Sequence, residues 1–224
     1  MRNFYLKHRS LIWGVLSGVI IMYALSAVIV ENKLSALKQS FDANIAKEIS
    51  VLSDLAVTTG KGGFNHEAEI MINDCSNEER VKFEALLSTL DSGLAHSDLI
   101  ILNNLFSSCG HVFANRRTSM QTQMERELAF LESLVEKRQL VDDYDASSIK
   151  LSKWQELVDT EKSINADFQG MVVVQKGIID SLIAGKTTDS AEVQNLQKEA
   201  QELKEKLSVA TGKSSAIRSE LISS

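Results

Sequence analysis

Proline is absent from this chain of 224 residues. Average usage would supply about ten, and proline breaks the interior of a helix, so its absence suits long uninterrupted helices. Aromatic residues are scarce at 6%, which leaves a core to be built from Leu, Ile, Val and Met within the 44% of hydrophobic residues. Basic charge is also short: 24 Lys and Arg stand against 30 Asp and Glu, a formal net charge of −6. Phosphate backbones demand a basic footprint, so no nucleic-acid partner is expected. HExxH, GxSxG, Glu-x-x-His and paired metal-ligand spacings are all missing, and the four histidines His8, His66, His96 and His111 are scattered. No catalytic residue, metal or cofactor is therefore expected, and the chain is read as something other than an enzyme. Gly185-Lys186-Thr187 resembles the end of a phosphate-binding loop, but Asp180 stands where the motif requires its first glycine.

One long uncharged run is present. Residues Leu11–Val30 read LIWGVLSGVIIMYALSAVIV, and twenty helical residues span about 30 Å, the thickness of a bilayer's hydrocarbon core. Arg2, Lys7 and Arg9 precede the run while Glu31 and Lys33 follow it, so the short basic tail (1–10) is expected in the cytoplasm. The remainder is then expected on the extracytoplasmic, periplasmic side of a cell membrane. Ala24 and Ser26 also have the spacing of a signal-peptidase site. The uncleaved anchor is preferred because the run continues through Ala27–Val30 into a helical pattern. Gly14 and Gly18 form a GxxxG, the spacing that lets two membrane helices approach closely.

Beyond the anchor, Leu34, Leu37, Phe41, Ile45, Ile49, Leu52 and Ala56 recur every three or four residues, which predicts a membrane-proximal helix over 31–58. The glycine cluster at 60–63 places a loop region at 59–76. Ser76 with Glu79 forms a capping box for a short helix, and Ser97 is placed to cap a longer one beginning at Asp98. That longer helix runs toward Val141, with Gly110 a point where it could kink, and Asp142-Asp143-Tyr144-Asp145 marks a reversal. The segment 77–183 is thus read as a helical bundle core with a hairpin, 184–189 as a loop, and 190–224 as a coiled-coil-like helix opened by Ser190.

The clearest periodicity lies in the last third of the chain. Trp154, Leu157, Glu161, Ile164, Phe168, Met171, Gln175, Ile178 and Leu182 form a three-four heptad seam with polar residues at two positions. The alternation returns through Val193, Leu196, Ala200, Leu203 and Leu207. Such seams close either within one chain, as an antiparallel bundle, or between chains, as a coiled coil. The bundle is preferred for the middle helices, and the choice stays open for the terminal heptads. Glu161 and Gln175 on the seam set helix register or line a pocket. Arg116 and Arg117 read as surface charges that could also meet an acidic ligand.

The only cysteines are Cys75 and Cys109, an even count in a chain read as exported. A disulfide between them would close a loop of about 35 residues and stabilise by roughly 3–4 kcal/mol. Two buried free thiols or an intersubunit bond are the alternatives.

The fold class expected is all-α: one N-terminal transmembrane helix, then long antiparallel helices with one disulfide. The function expected is a single-pass membrane-anchored interaction protein (scaffold, tether or assembly factor) that meets other envelope proteins or itself. The second reading is a sensory ligand-binding bundle that signals through a partner.

Overall fold

The computed structural model describes residues 2–61, 75–90 and 93–222, with the side chains of 2–21, 24, 60, 61, 77, 111–114 and 116 set aside. The glycine cluster at 60–63 and the stretch 66–74 lie largely or wholly outside the described residues. Every regular element described is helical: α1 (Arg2–Lys61), α2 (Asn77–Ser88), α3 (His96–Leu105), α4 (His111–Gln139), α5 (Leu151–Ile183) and α6 (Ala191–Ile222). A π-helical turn, Phe106–Gly110, joins α3 to α4, and a 3₁₀ turn, Ser147–Ile149, precedes α5. The all-helical class holds. Among the described residues no helix is long and apolar enough to cross a membrane, so the expected transmembrane helix is not found there. Within the run Leu11–Val30, the side chains of 11–21 and Ala24 lie outside the described residues.

Local chemistry explains where the helices begin and end. Glu79 N–H donates to Ser76 Oγ at 3.2 Å, and Ser76 N–H donates to Glu79 Oε2 at 2.8 Å, completing the capping box that opens α2. Ser190 stands ahead of α6, its Oγ 3.5 Å from the Val193 N–H. Helix α5 closes on Gly185 at φ +83°, a conformation glycine adopts without steric cost. There Gly185 N–H donates to Leu182 O and Lys186 N–H to Ser181 O, the paired bonds of a Schellman ending.

Two expectations are corrected. Ser97 is not a cap: α3 starts at His96, and the Asp98 and Leu99 N–H groups both donate to Ala95 O, which leaves Ser97 inside the first turn. Helix α1 continues to Lys61, beyond the expected end near residue 58.

The chain divides into two units, 1–47 with 133–145, and 48–132 with 146–224. In the first, Ile45, Leu134 and Val135 are buried, and Arg138 is the organising polar residue. Its Nε donates to Asp42 at 2.8 Å, its second nitrogen pairs with Asp142, and its guanidinium lies 4.7 Å from the Tyr144 ring centroid. Lys38 reaches Asp142 at 2.5 Å. The reversal expected at 142–145 is therefore present and is held by charge.

In the second unit, α5 and α6 form an antiparallel hairpin of 33 and 32 residues, each about 50 Å long. Phe83 of α2, Leu90 just after it, Leu99, Leu102 and Leu105 of α3, and Phe106 build one core with Val172, Ile178, Ile179 and Val193 of the hairpin. Phe83 and Phe106 meet edge to face at 5.4 Å. Burying a Leu or Phe fully contributes about 1.5–3 kcal/mol, so this cluster is the main apolar anchor of the short helices.

Candidate functional site

Cys75 and Cys109 are joined, with Cα atoms 5.1 Å apart. Both are buried in the same core as Phe83 and Phe106. The bond ties the residue before the α2 cap to the π-helical turn, and it lies within one chain.

The α6 seam packs on α5, against Gly170 and Gly177 beside the heptad positions read there. Gly170 on α5 is so placed that an added Cβ would sit 3.5 Å from Leu203 of α6, and at Gly177 the same distance separates it from Leu196. Trp154, Leu157, Glu161, Ile164 and Ile178 are buried, and so is Val193. Phe168, Met171, Gln175, Leu182, Leu196, Ala200, Leu203 and Leu207 are half-buried. Gln175 joins Met171, Leu87 and Ala200 along a shallow groove of about 540 Å³ between α2 and the hairpin. Gly14 and Gly18 fall within the α1 backbone, and contacts at that pair lie outside the described residues.

Glu161 has a different setting. It is 4% exposed, yet it carries a carboxylate into the interior. Its Oε1 accepts from Ser214 Oγ and from Arg218, both on α6, and its Oε2 lies 3.7 Å from Arg117 on α4. The Arg117 guanidinium also sits 5.4 Å from the Phe168 ring centroid. Burial pushes the Arg218 guanidinium below its ordinary value, with the Arg117 charge acting in the same direction and the Glu161 charge opposing them. One turn further along α5, Asn165 donates to Gln121 Oε1 at 2.7 Å and to Thr118 Oγ1 at 3.3 Å.

This cluster fastens α4, α5 and α6 at one level. Taking a carboxylate out of water is costly unless its lone pairs are met, and here three donors converge on it. Arg117 is therefore occupied by the chain's own carboxylate rather than left as a surface charge. The side chain of Arg116 lies outside the described residues. Ser214 and Arg218 went unread in the sequence, although their i, i+4 spacing one turn past Ala210 continues the seam that ends in Ile217 and Leu221.

No family model, curated protein or solved structure matches this chain. Function has to be argued from the residues themselves. Among the described residues no group of three or more His, Cys, Asp or Glu side chains could hold a metal ion.

The other feature of note is a surface one. The outer side of the α5–α6 hairpin forms an open groove of about 1120 Å³. It reaches the α6 seam at Ala210, and its α5 wall carries Glu156, Asp159 and Asp167.

Proposed function

We propose that this chain is a single-pass, membrane-anchored helical interaction protein, a scaffold, tether or assembly factor acting outside the cytoplasm. Residues 11–30 carry no charge and lie within α1, which continues past them to Lys61, and Arg2, Lys7 and Arg9 lie on their N-terminal side. The observation that carries the reading is the direction in which the hairpin's chemistry faces. The α6 seam packs against α5, and the half-buried Arg218 of α6 and Arg117 of α4 are engaged with Glu161. What remains for a partner is the outer surface. A disulfide in the core suits an oxidising compartment.

A C-terminal fusion tests the anchor and its orientation together. Alkaline phosphatase fused after Ser224 is expected to be active, green fluorescent protein at the same site dark, and the chain retained in membranes after alkaline carbonate extraction. An inactive phosphatase fusion, or full release by carbonate, overturns the reading.

A further inference from the structure

The outer groove of the hairpin has the shape of a seat for a third helix. On α5 its wall is Ser152, Gln155, Glu156, Asp159, Thr160 and Ser163, ending at Asp167. Those positions step by three and four, as do 202, 205, 206, 209, 210 and 213 on α6. Two such ridges with a groove between them are what the side chains of another helix interdigitate with. The stretch from Ser152 to Asp167 is about 22 Å long, which matches roughly four helical turns.

The floor and rim say what kind of helix fits. Thr160 is buried with its hydroxyl donated to Glu156 O at 2.7 Å, so it offers a small, satisfied surface. Ala210 is half-buried, and beside it Val209 is 75% exposed. Around this strip stand Glu156, Asp159, Asp167, Glu202 and Glu205, together with Lys206 and Lys213. Lys213 and Lys153 pair with Glu156 at 3.1 and 3.2 Å, and Lys198 lies 4.0 Å from Glu202, so Asp159, Asp167 and Glu205 carry the rim's negative charge. Asp159 and Glu205 accept hydrogen bonds from Gln155 and Gln201, at 3.1 and 2.9 Å, which hold the carboxylates without neutralising them. The rim keeps a net negative charge.

We propose that this groove docks a basic amphipathic α-helix of a partner protein, one with Lys or Arg flanking a strip of small and apolar residues that covers Val209. The proposal rests on the interaction-protein reading and gives it a site and a partner chemistry. A second copy of the chain is the poorer occupant, because two acidic grooves would face each other on a chain of net charge −6.

The test uses the full chain in neutral detergent and a fluorescent helical peptide of about 18 residues. The peptide carries an Ala/Leu strip flanked by Lys and Arg; its counterpart has Glu at every basic position. Anisotropy is expected to show saturable binding of the basic peptide alone, weakening as salt rises. The double variant Glu202→Lys/Glu205→Lys is expected to weaken binding at least about tenfold, and Val209→Asp several-fold, with helicity and thermal midpoint kept. Asp54→Lys/Glu136→Lys, which makes the same charge change on exposed positions of α1 and α4, is expected to leave it within about twofold. Equal loss in both double variants would mean diffuse attraction, and no saturable binding would mean no seat; either overturns the proposal. So would a homodimer in light scattering that Val209→Asp dissociates, since a second copy then fills the groove. Peptide binding by purified protein does not depend on membrane orientation, so its failure and a failure of the phosphatase fusion are separate results.

Discussion

Replacing Glu161 by Gln removes one charge from the interior and leaves the side-chain volume unchanged. The carboxylate is 4% exposed, while the Arg218 and Arg117 side chains keep 12% and 24% of their surface. Breaking a buried ion pair from one side costs about 3–5 kcal/mol, because the partner is left charged and unmatched. Water still reaches both guanidinium groups in part, which places this case at the lower end. The Arg117 contact, longer and more exposed, adds under about 1 kcal/mol. Glu161→Gln is therefore expected to lower unfolding free energy by about 3 kcal/mol, a large share of the roughly 5–15 kcal/mol of an ordinary domain. Urea titration followed by Trp154 fluorescence, in a Trp13→Phe background, reads the change at a buried reporter. A cycle of Glu161→Leu, Arg218→Leu and the double variant is expected to give a coupling of at least about 1 kcal/mol, with the double recovering part of the loss. A cost below about 1 kcal/mol for Glu161→Gln, or independent effects in the cycle, would refute a clamp across three helices.

Four further outcomes are expected. Reducing the Cys75–Cys109 bond, which links residues 34 apart, should lower stability by roughly 3–4 kcal/mol, and Cys75→Ala/Cys109→Ala should match it in a denaturant titration without reductant. Gly177→Ala places its Cβ in ordinary contact with Leu196 and gains helix propensity, so it should stabilise by about 0.5–1 kcal/mol. Gly110→Ala instead brings Cβ to 3.1 Å from a Phe106 ring braced by Phe83, so its thermal midpoint should fall below that of the native chain. The Lys38 hydrogen bond, and after it Arg138, holds the Asp142 carboxyl below its ordinary range. Its contribution is present above the unfolded carboxylate value near about 4 and is lost as pH falls through the lower folded value. Thermal midpoints measured from neutral to acid pH should fall less steeply in Asp142→Asn; an unchanged slope would show that the contact does not hold the turn.

Much of the helical layout was legible because its signals are local. Ser76 and Glu79 announce a helix start three residues apart, Gly185 a helix end, and the absence of proline the long runs between them. The seam positions of α5 and α6 were visible as spacing, but spacing does not say whether a seam closes on its own chain. The facing pairs Gly170–Leu203 and Gly177–Leu196 supply that missing direction. Ser97 misled because a capping residue type also fits inside a first turn when a backbone carbonyl, here that of Ala95, takes the orphan N–H groups. The partners of Glu161 lie 44 positions before it and 53 and 57 after it, at Arg117, Ser214 and Arg218. No local pattern joins residues so far apart. The outer groove was illegible for the same reason, since its acidic rim is assembled from two helices, each of which reads alone as an ordinary solvated face.

The account stands on the α6 seam closing on α5 within one chain, which leaves the outer side of the hairpin open to a partner. Gly177→Cys/Leu196→Cys tests that most directly, by crosslinking the full chain with a short bis-maleimide followed by gel and peptide mass analysis, since the two positions meet through the Leu196 side chain. The account predicts a new crosslink between positions 177 and 196 in a species that still runs as a monomer. A covalent dimer linked through those positions would contradict it, and would make the seam itself the interaction surface.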